Sequence, residues 1–294
     1  MPSYKTHSIH GEMVSSMIHP KISMNWELFK LFCIGPDAMI ATDYKAFDYQ
    51  HSHQTRKFFL TMIRIIKKGH LQYDPEVMAF LYGQLDHFVL DVVLHPYIYY
   101  VTEHYPNKYR ISFHGLFELW MDGYISNKYL KKNKKYYSRM IHKSPSLKKF
   151  INDVYQTVYD VSNGFHKYVV GFRVMRLFDS FVRNDSLHIF SCFMRLFSIG
   201  DITYHHDWKQ IESFLNQDHT VWYDPESHQK HTDSFEDLWK ESLKVSRELI
   251  DQVNGYLYYN QKLDHPFLQD VSYNTGLSCK RKQTIRYAKQ YKGA

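Results

Sequence analysis

Asp74-Pro75-Glu76 opens, and His87-Phe88-Val89-Leu90-Asp91-Val92-Val93-Leu94-His95-Pro96 closes, the stretch that decides how this chain reads. Aspartate, proline and glutamate in that order supply an N-cap, a proline at the first helical position and an acid in the first turn, so a helix starts there. Pro96 is expected to kink or end it. Residues four apart on a helix differ by about 6 Å of rise and about 40° of rotation. His87 and Asp91 therefore face the same way and can grip one metal ion. His95 lies about 12 Å of rise beyond His87, too far to share that ion. It is free to join His114-x3-Glu118 on the next helix, and two histidines with one glutamate make a zinc ligand set with an open position. One helix feeding two neighbouring ions through imidazole and carboxylate reads as a multi-metal hydrolase.

Helix signals recur outward from this stretch. Ser112 is placed to cap the helix carrying His114 and Glu118, and Ser146 precedes Leu147, Phe150, Ile151, Val154, Tyr155 and Val158 at helical spacing. Ser234-x-x-Asp237 reads as an acidic capping box before a long helix reaching about Tyr258. Further helices are expected at about 24–33, 54–68, 166–183, 186–198 and 207–216. Strand signals are nearly absent. The expected fold is all-α, one domain over 1–294, with a metal-bearing part (1–130), a helical remainder (146–265) and a basic tail (279–294). The basic stretch 131–145 is the only plausible seam, and the alternative is a metal domain ending near 130 with a helical accessory domain after it.

The 294 residues suffice for a substantial core, and 44% apolar with 23% charged residues is an ordinary globular balance. Nineteen histidines are the outlier; only those with ligand spacing count as ligands. Three scattered cysteines (Cys33, Cys192, Cys279) support neither a disulfide framework nor a thiolate zinc site. His7, His10, Glu12 and His19 interrupt the first thirty residues, which therefore do not resemble a signal peptide. The most apolar segment, Phe80 to Val101, carries Asp86, His87, Asp91 and His95, which argues against a membrane span. The expected location is the cytoplasm. A net charge of +7 suits phosphate-rich partners, nucleic acid or anionic lipid. Much of it sits in Lys131–Lys135 and beyond Lys280, where a solvated linker and a loose tail are the simpler reading.

Asp37 in Gly35-Pro36-Asp37, His51 and His53 before the helix near Gln54, and His7 with His10 each have an ordinary structural explanation. They count because a multi-metal cluster needs more ligands than the central stretch provides, and loops between helices are the expected source. His206-Asp207 resembles the dipeptide of HD-type phosphohydrolases but lacks matching helical histidines. No GxSxG, phosphate loop or GxGxxG is present.

His87-Phe88-Val89-Leu90-Asp91-Val92-Val93-Leu94-His95-Pro96-Tyr97, followed by His114-x3-Glu118-x3-Asp122, resembles the zinc-dependent phospholipase C family, and more closely its intracellular bacterial branch. Met1-Pro2-Ser3 with Thr6-His7, the turn Gly35-Pro36-Asp37, and His51 followed by Phe58-Phe59 agree in order. The likeness is sharp over about 1–125 and looser at Trp222, Pro225, Ser234-Phe235 and Leu238. It implies an all-helical fold shared with fungal single-strand nucleases and a helix-enclosed zinc cluster. Asp37, His51, His87 and Asp91 would surround one ion, and His95, His114 and Glu118 a second. His7 and a bridging Asp91 would hold a third, with Asp37 also serving as general base. Two firmly bound zinc ions and a labile third are expected, although such ligands also admit manganese or iron. The implied substrate is a phosphate ester, a phospholipid or related phosphodiester, with contact to an anionic membrane surface. A single-strand nuclease or 3′-nucleotidase acting on nucleic acid is the alternative, and a non-catalytic zinc-stabilised binding protein the third. Secreted members of the family carry a tyrosine after the turn aspartate, where this chain has Ala38, and they ligate the third zinc through a processed N-terminus.

Overall fold

In a computed structural model of the protein, residues 4–18, 24–104, 113–129, 144–183 and 211–280 are described. They form α1 (Tyr4–Ser15), α2 (Trp26–Phe32), a 3-10 turn (Gly35–Met39), α3 (Tyr44–Ser52), α4 (Thr55–Gly69), α5 (Pro75–His104), α6 (Phe113–Tyr129), α7 (Pro145–Tyr159), α8 (Gly164–Arg183) and α9 (Phe235–Tyr259). The fold is all-α. Strand among the described residues is confined to a two-residue pair, β1 (Trp222–Tyr223) with β2 (Lys230–His231), and one isolated bridge.

Helix α5 is the axis. Its first turn is capped as the sequence dictates, with Asp74 Oδ1 accepting from the amides of Glu76 and Val77. It is apolar on every side because it is packed on every side: α2 and α9 lie along it, and α1, α4, α6 and α7 also touch it. By length and composition alone it could cross a membrane, yet 89% of that apolar window is buried within the protein. Pro96 does not end it. The helix continues eight residues to His104, because packing against the surrounding helices compensates for the hydrogen bond that proline cannot make.

The second half packs onto the first. Helix α9 lies on α5, α7 on α4, and α8 against the 3-10 turn. Gly171 of α8 meets that turn so closely that a Cβ there would fall 1.6 Å from the Ala38 carbonyl oxygen. Asp43 caps α3 and binds Lys167 of α8. The capping box at Ser234 and Asp237 is formed in both directions. The cap of α7 is Ser144, with Pro145 in the first turn; Ser146 lies inside the helix and donates to Asp74. Helices α1 and α3 were not expected from the pattern. Nearly all of α1 from Tyr4 to Gly11 is buried, polar side chains included, so it shows no apolar stripe. The cap at Ser112, the helix at 186–198, His206-Asp207, Cys192 and residues 207–210 lie outside the described residues, as do the lysine run and nearly all of the basic tail; of the helix expected at 207–216, Ile211 and Glu212 are helical and the chain turns after them.

Candidate metal centre

Eight side chains named from the sequence converge on the middle of α5. His87, Asp91 and His95 come from α5, His114 and Glu118 from α6, His7 from α1, Asp37 from the 3-10 turn and His51 from the last turn of α3. Apart from His114, which is half-buried, all are buried. The additional ligands thus come from short helical segments rather than from the loops expected to supply them. His53 does not join; it is exposed and bonds to Ser52.

Three groups have their donor atoms within 4.8 Å of one another: Asp37, His51 and His87; His7, His87 and Asp91; and His95, His114 and Glu118. His51 Nε2 lies 3.2 Å from Asp37 Oδ1, and His87 Nε2 lies 3.0 Å from Asp91 Oδ2. His7 Nε2 is 3.3 Å from Asp91 Oδ1, and its ring stacks on His87 with centroids 4.1 Å apart. His114 Nε2 is 3.0 Å and His95 Nε2 3.4 Å from Glu118 Oε1. Asp91 links the groups, with Oδ1 3.9 Å from His95 Nδ1 and Oδ2 3.7 Å from His51 Nε2. The grouping expected for the first ion included Asp91; here Asp91 sits closer to His7 and His87. His87 falls in two groups but has one free nitrogen, and one nitrogen binds one ion. Three groups therefore do not amount to three independent sites.

The donor set fits a cation. His51 Nδ1 donates to the Phe47 carbonyl at 2.8 Å, His87 Nδ1 to that of Cys33 at 3.0 Å, and His95 Nδ1 to that of Tyr273 at 2.9 Å. Each bond leaves Nε2 as the remaining site of its ring, aimed at a carboxylate oxygen. A bare nitrogen lone pair facing a carboxylate repels it; a proton or a metal ion between them resolves the conflict. His87 Nε2 is buried with no hydrogen-bond partner, although Asp91 stands beside it. Two ligand atoms about 2.05 Å from one tetrahedral zinc ion sit about 3.3 Å apart, which matches the spacing of these pairs.

Without metal, protons do that work. Burial lowers the His95 imidazole, but Asp91 and Glu118 more than reverse this and raise it to about 9. His7 and His51 are raised in the same way, burial being outweighed by Asp91 for His7 and by Asp37 for His51. Burial pushes Asp91 and Glu118 up, yet the surrounding imidazoles hold both carboxyls below their usual range.

Other residues hold the ligands in place. Gly35 adopts φ +63°, and a Cβ there would fall 2.3 Å from the His87 ring, so only glycine lets the 3-10 turn pass. Asp122, one turn beyond Glu118, accepts from the amides of Lys5 and Thr6 and from the Thr6 hydroxyl. It thereby caps α1 ahead of His7, and burial raises its carboxyl to about 6. On the other face of α1, His10 Nδ1 meets Asp86 and His10 Nε2 meets Ser242, both at 2.9 Å. That trio has the membership of a nucleophilic triad. All three are fully buried, however, and the Ser242 hydroxyl donates to the Trp239 carbonyl, so it braces α1, α5 and α9. Asp122 was visible as a continuation of the His114-x3-Glu118 face; the Asp86–His10–Ser242 brace had no signal in spacing.

A family model described as zinc dependent phospholipase C matches residues 6–163, a little over half of the chain. No curated protein and no solved structure matches it.

Proposed function

The chain belongs to the zinc-dependent phospholipase C family, and from that premise we propose that it is a zinc-dependent phosphoesterase that hydrolyses a phosphodiester, in the manner of a phospholipase C. The observation that carries the reading is the set of Nε2 atoms, each fixed by a backbone carbonyl behind it and aimed at a carboxylate. His51, His87, Asp37 and Asp91 would hold one zinc ion, and His95, His114 and Glu118 another. His7 with Asp91 would hold a third weakly, because His87 can serve only one neighbour. Zinc, when bound, acidifies a water enough for attack at neutral pH and offsets charge on the phosphate.

The remaining work falls to side chains. Asp37 presents Oδ1 to His51 and accepts the proton of the attacking water on its other oxygen. Buried Asp91 keeps the two ligand sets at a fixed separation through contacts with four histidines. His114 is the most exposed ligand and stacks on Tyr99 at 4.6 Å, so the phosphate enters on that side. A cleft of about 520 Å³ lined by Arg56, Lys57, Arg64 and Lys280 includes none of these ligands. It supplies generic attraction to an anionic surface.

The reading is tested by assaying zinc-loaded protein on a phospholipid, a soluble phosphodiester, a phosphomonoester and single-stranded DNA, beside Asp37→Asn. Turnover of the first two is expected, with kcat lowered about 10²- to 10⁴-fold in the variant. Turnover confined to DNA would transfer the reading to a nuclease. Silence on all four would leave a non-catalytic zinc protein.

A further inference from the structure

Residues 270–279 form a small hairpin near the end of the described chain, well beyond the residues the family model matches. Val271 bridges Ser278, Ser272 N donates to the Leu277 carbonyl at 2.9 Å, and Cys279 N donates to that of Asp270 at 2.8 Å. Gly276 makes the turn at φ +66° and donates to the Ser272 carbonyl.

The hairpin is tied down at its base and at its tip. At the base, Asp270 Oδ1 accepts from the Thr55 hydroxyl and the Arg56 amide, at 3.3 and 3.4 Å, and Val271 N donates to Thr55 Oγ1. These bonds take the place of a cap that Gln54, at φ 54°, does not provide for α4. At the tip, Tyr273 N donates to the His51 carbonyl at 2.9 Å, joined by the Ser272 hydroxyl at 3.2 Å. The Tyr273 carbonyl in turn accepts from His95 Nδ1. The Tyr273 ring is fully buried against His51 and Phe88, with centroids 5.1 and 4.6 Å away. His51 belongs to one ligand group and His95 to the other, so the backbone of a single residue touches both.

We propose that this hairpin is a positioning element of the metal centre, with Tyr273 setting the ring orientation of His95 and the placement of His51, and so the spacing of the two zinc sites. The proposal rests on the reading of those residues as zinc ligands. The groups that orient a ligating imidazole typically change metal affinity by about 10- to 100-fold when lost. By reciprocity, whatever the docked hairpin contributes to zinc binding, zinc contributes to hairpin docking.

The test uses the full chain and Zn²⁺ alone. Hydrogen exchange is followed in zinc-loaded and stripped protein for the peptide spanning the hairpin, with α7 as the remote reference. Zinc should slow exchange of the Ser272 and Tyr273 amides at least tenfold more than exchange within α7. In parallel, Gly276→Val forces a β-branched residue to positive φ, a strained conformation, without touching a ligand. It should weaken zinc binding at least tenfold while its far-ultraviolet spectrum stays helical. Equal slowing in the hairpin and in α7, or a folded Gly276→Val protein with unchanged zinc affinity, would overturn the proposal. If the variant does not fold, the exchange measurement on the wild-type chain decides alone. A protein that takes up no zinc would instead overturn the metal centre itself.

Discussion

His87→Ala should abolish phosphoesterase activity, with a loss of about a thousandfold or more, equivalent to about 4 kcal/mol in the barrier. The effect is large because His87 Nε2 lies within ligand range of both Asp37 and Asp91, and its ring carries the stack with His7. One substitution therefore disturbs two of the three ligand groups. The protein should remain helical, since α5 is packed against α1, α2, α4, α6, α7 and α9. His53→Ala is the matched control: an exposed imidazole two residues from a ligand, bonded to Ser52 and stacked on Tyr49, and expected to behave as wild type. Activity and circular dichroism of the two variants, each exposed to zinc, check this. Wild-type turnover by His87→Ala would remove the residue from the centre.

Stripping the metal should lower the melting temperature on the order of 15 °C. An ion present at a thousandfold its Kd stabilises by about 4 kcal/mol, and two such ions in a chain this long give roughly 2 °C per kcal/mol. The drop should also depend on pH, in a direction set by the imidazoles. His7, His51 and His95 are raised in the metal-free fold, so their pairing with carboxylates contributes in full below about 6.5 and fades as pH rises toward the His95 value of about 9. The lowered carboxyls of Asp91 and Glu118 titrate far below this window and do not reverse the trend. Metal-free protein therefore weakens between pH 6.5 and 9, and the difference between loaded and stripped melting curves should widen over that range. Thermal scans at pH 6 and 8.5, with and without chelator, measure it. A chelator-insensitive melting curve would contradict the account.

The sequence disclosed the parts of the centre that ride on long helices. His87, Asp91 and His95 could be read because α5 is regular where they stand, so spacing converts directly into direction; His114 and Glu118 followed for the same reason. Asp37, His51 and His7 had no such warrant and rested on family resemblance. They sit on short segments whose helicity is dictated by tertiary packing: α1 has no amphipathic stripe, and α3 ends at its ligand. His7 and His10 looked equivalent as a pair, yet α1 turns one toward Asp91 and the other toward Asp86. Of the two outcomes expected at Pro96, a kink or an end, the end does not occur, because local rules ignore what surrounds a helix. Tyr273 was invisible because its contribution is a backbone amide and carbonyl, which any residue possesses.

The central claim is that these ligands hold zinc, and counting it is the most direct test. Stripped protein titrated with zinc at pH 7 in a calorimeter, in buffers of differing ionisation enthalpy, reports stoichiometry and proton release together. The account predicts a break at two equivalents, weaker uptake of a third, and protons released because zinc displaces those held on the raised imidazoles. No uptake, a single equivalent, or uptake without proton release would contradict it.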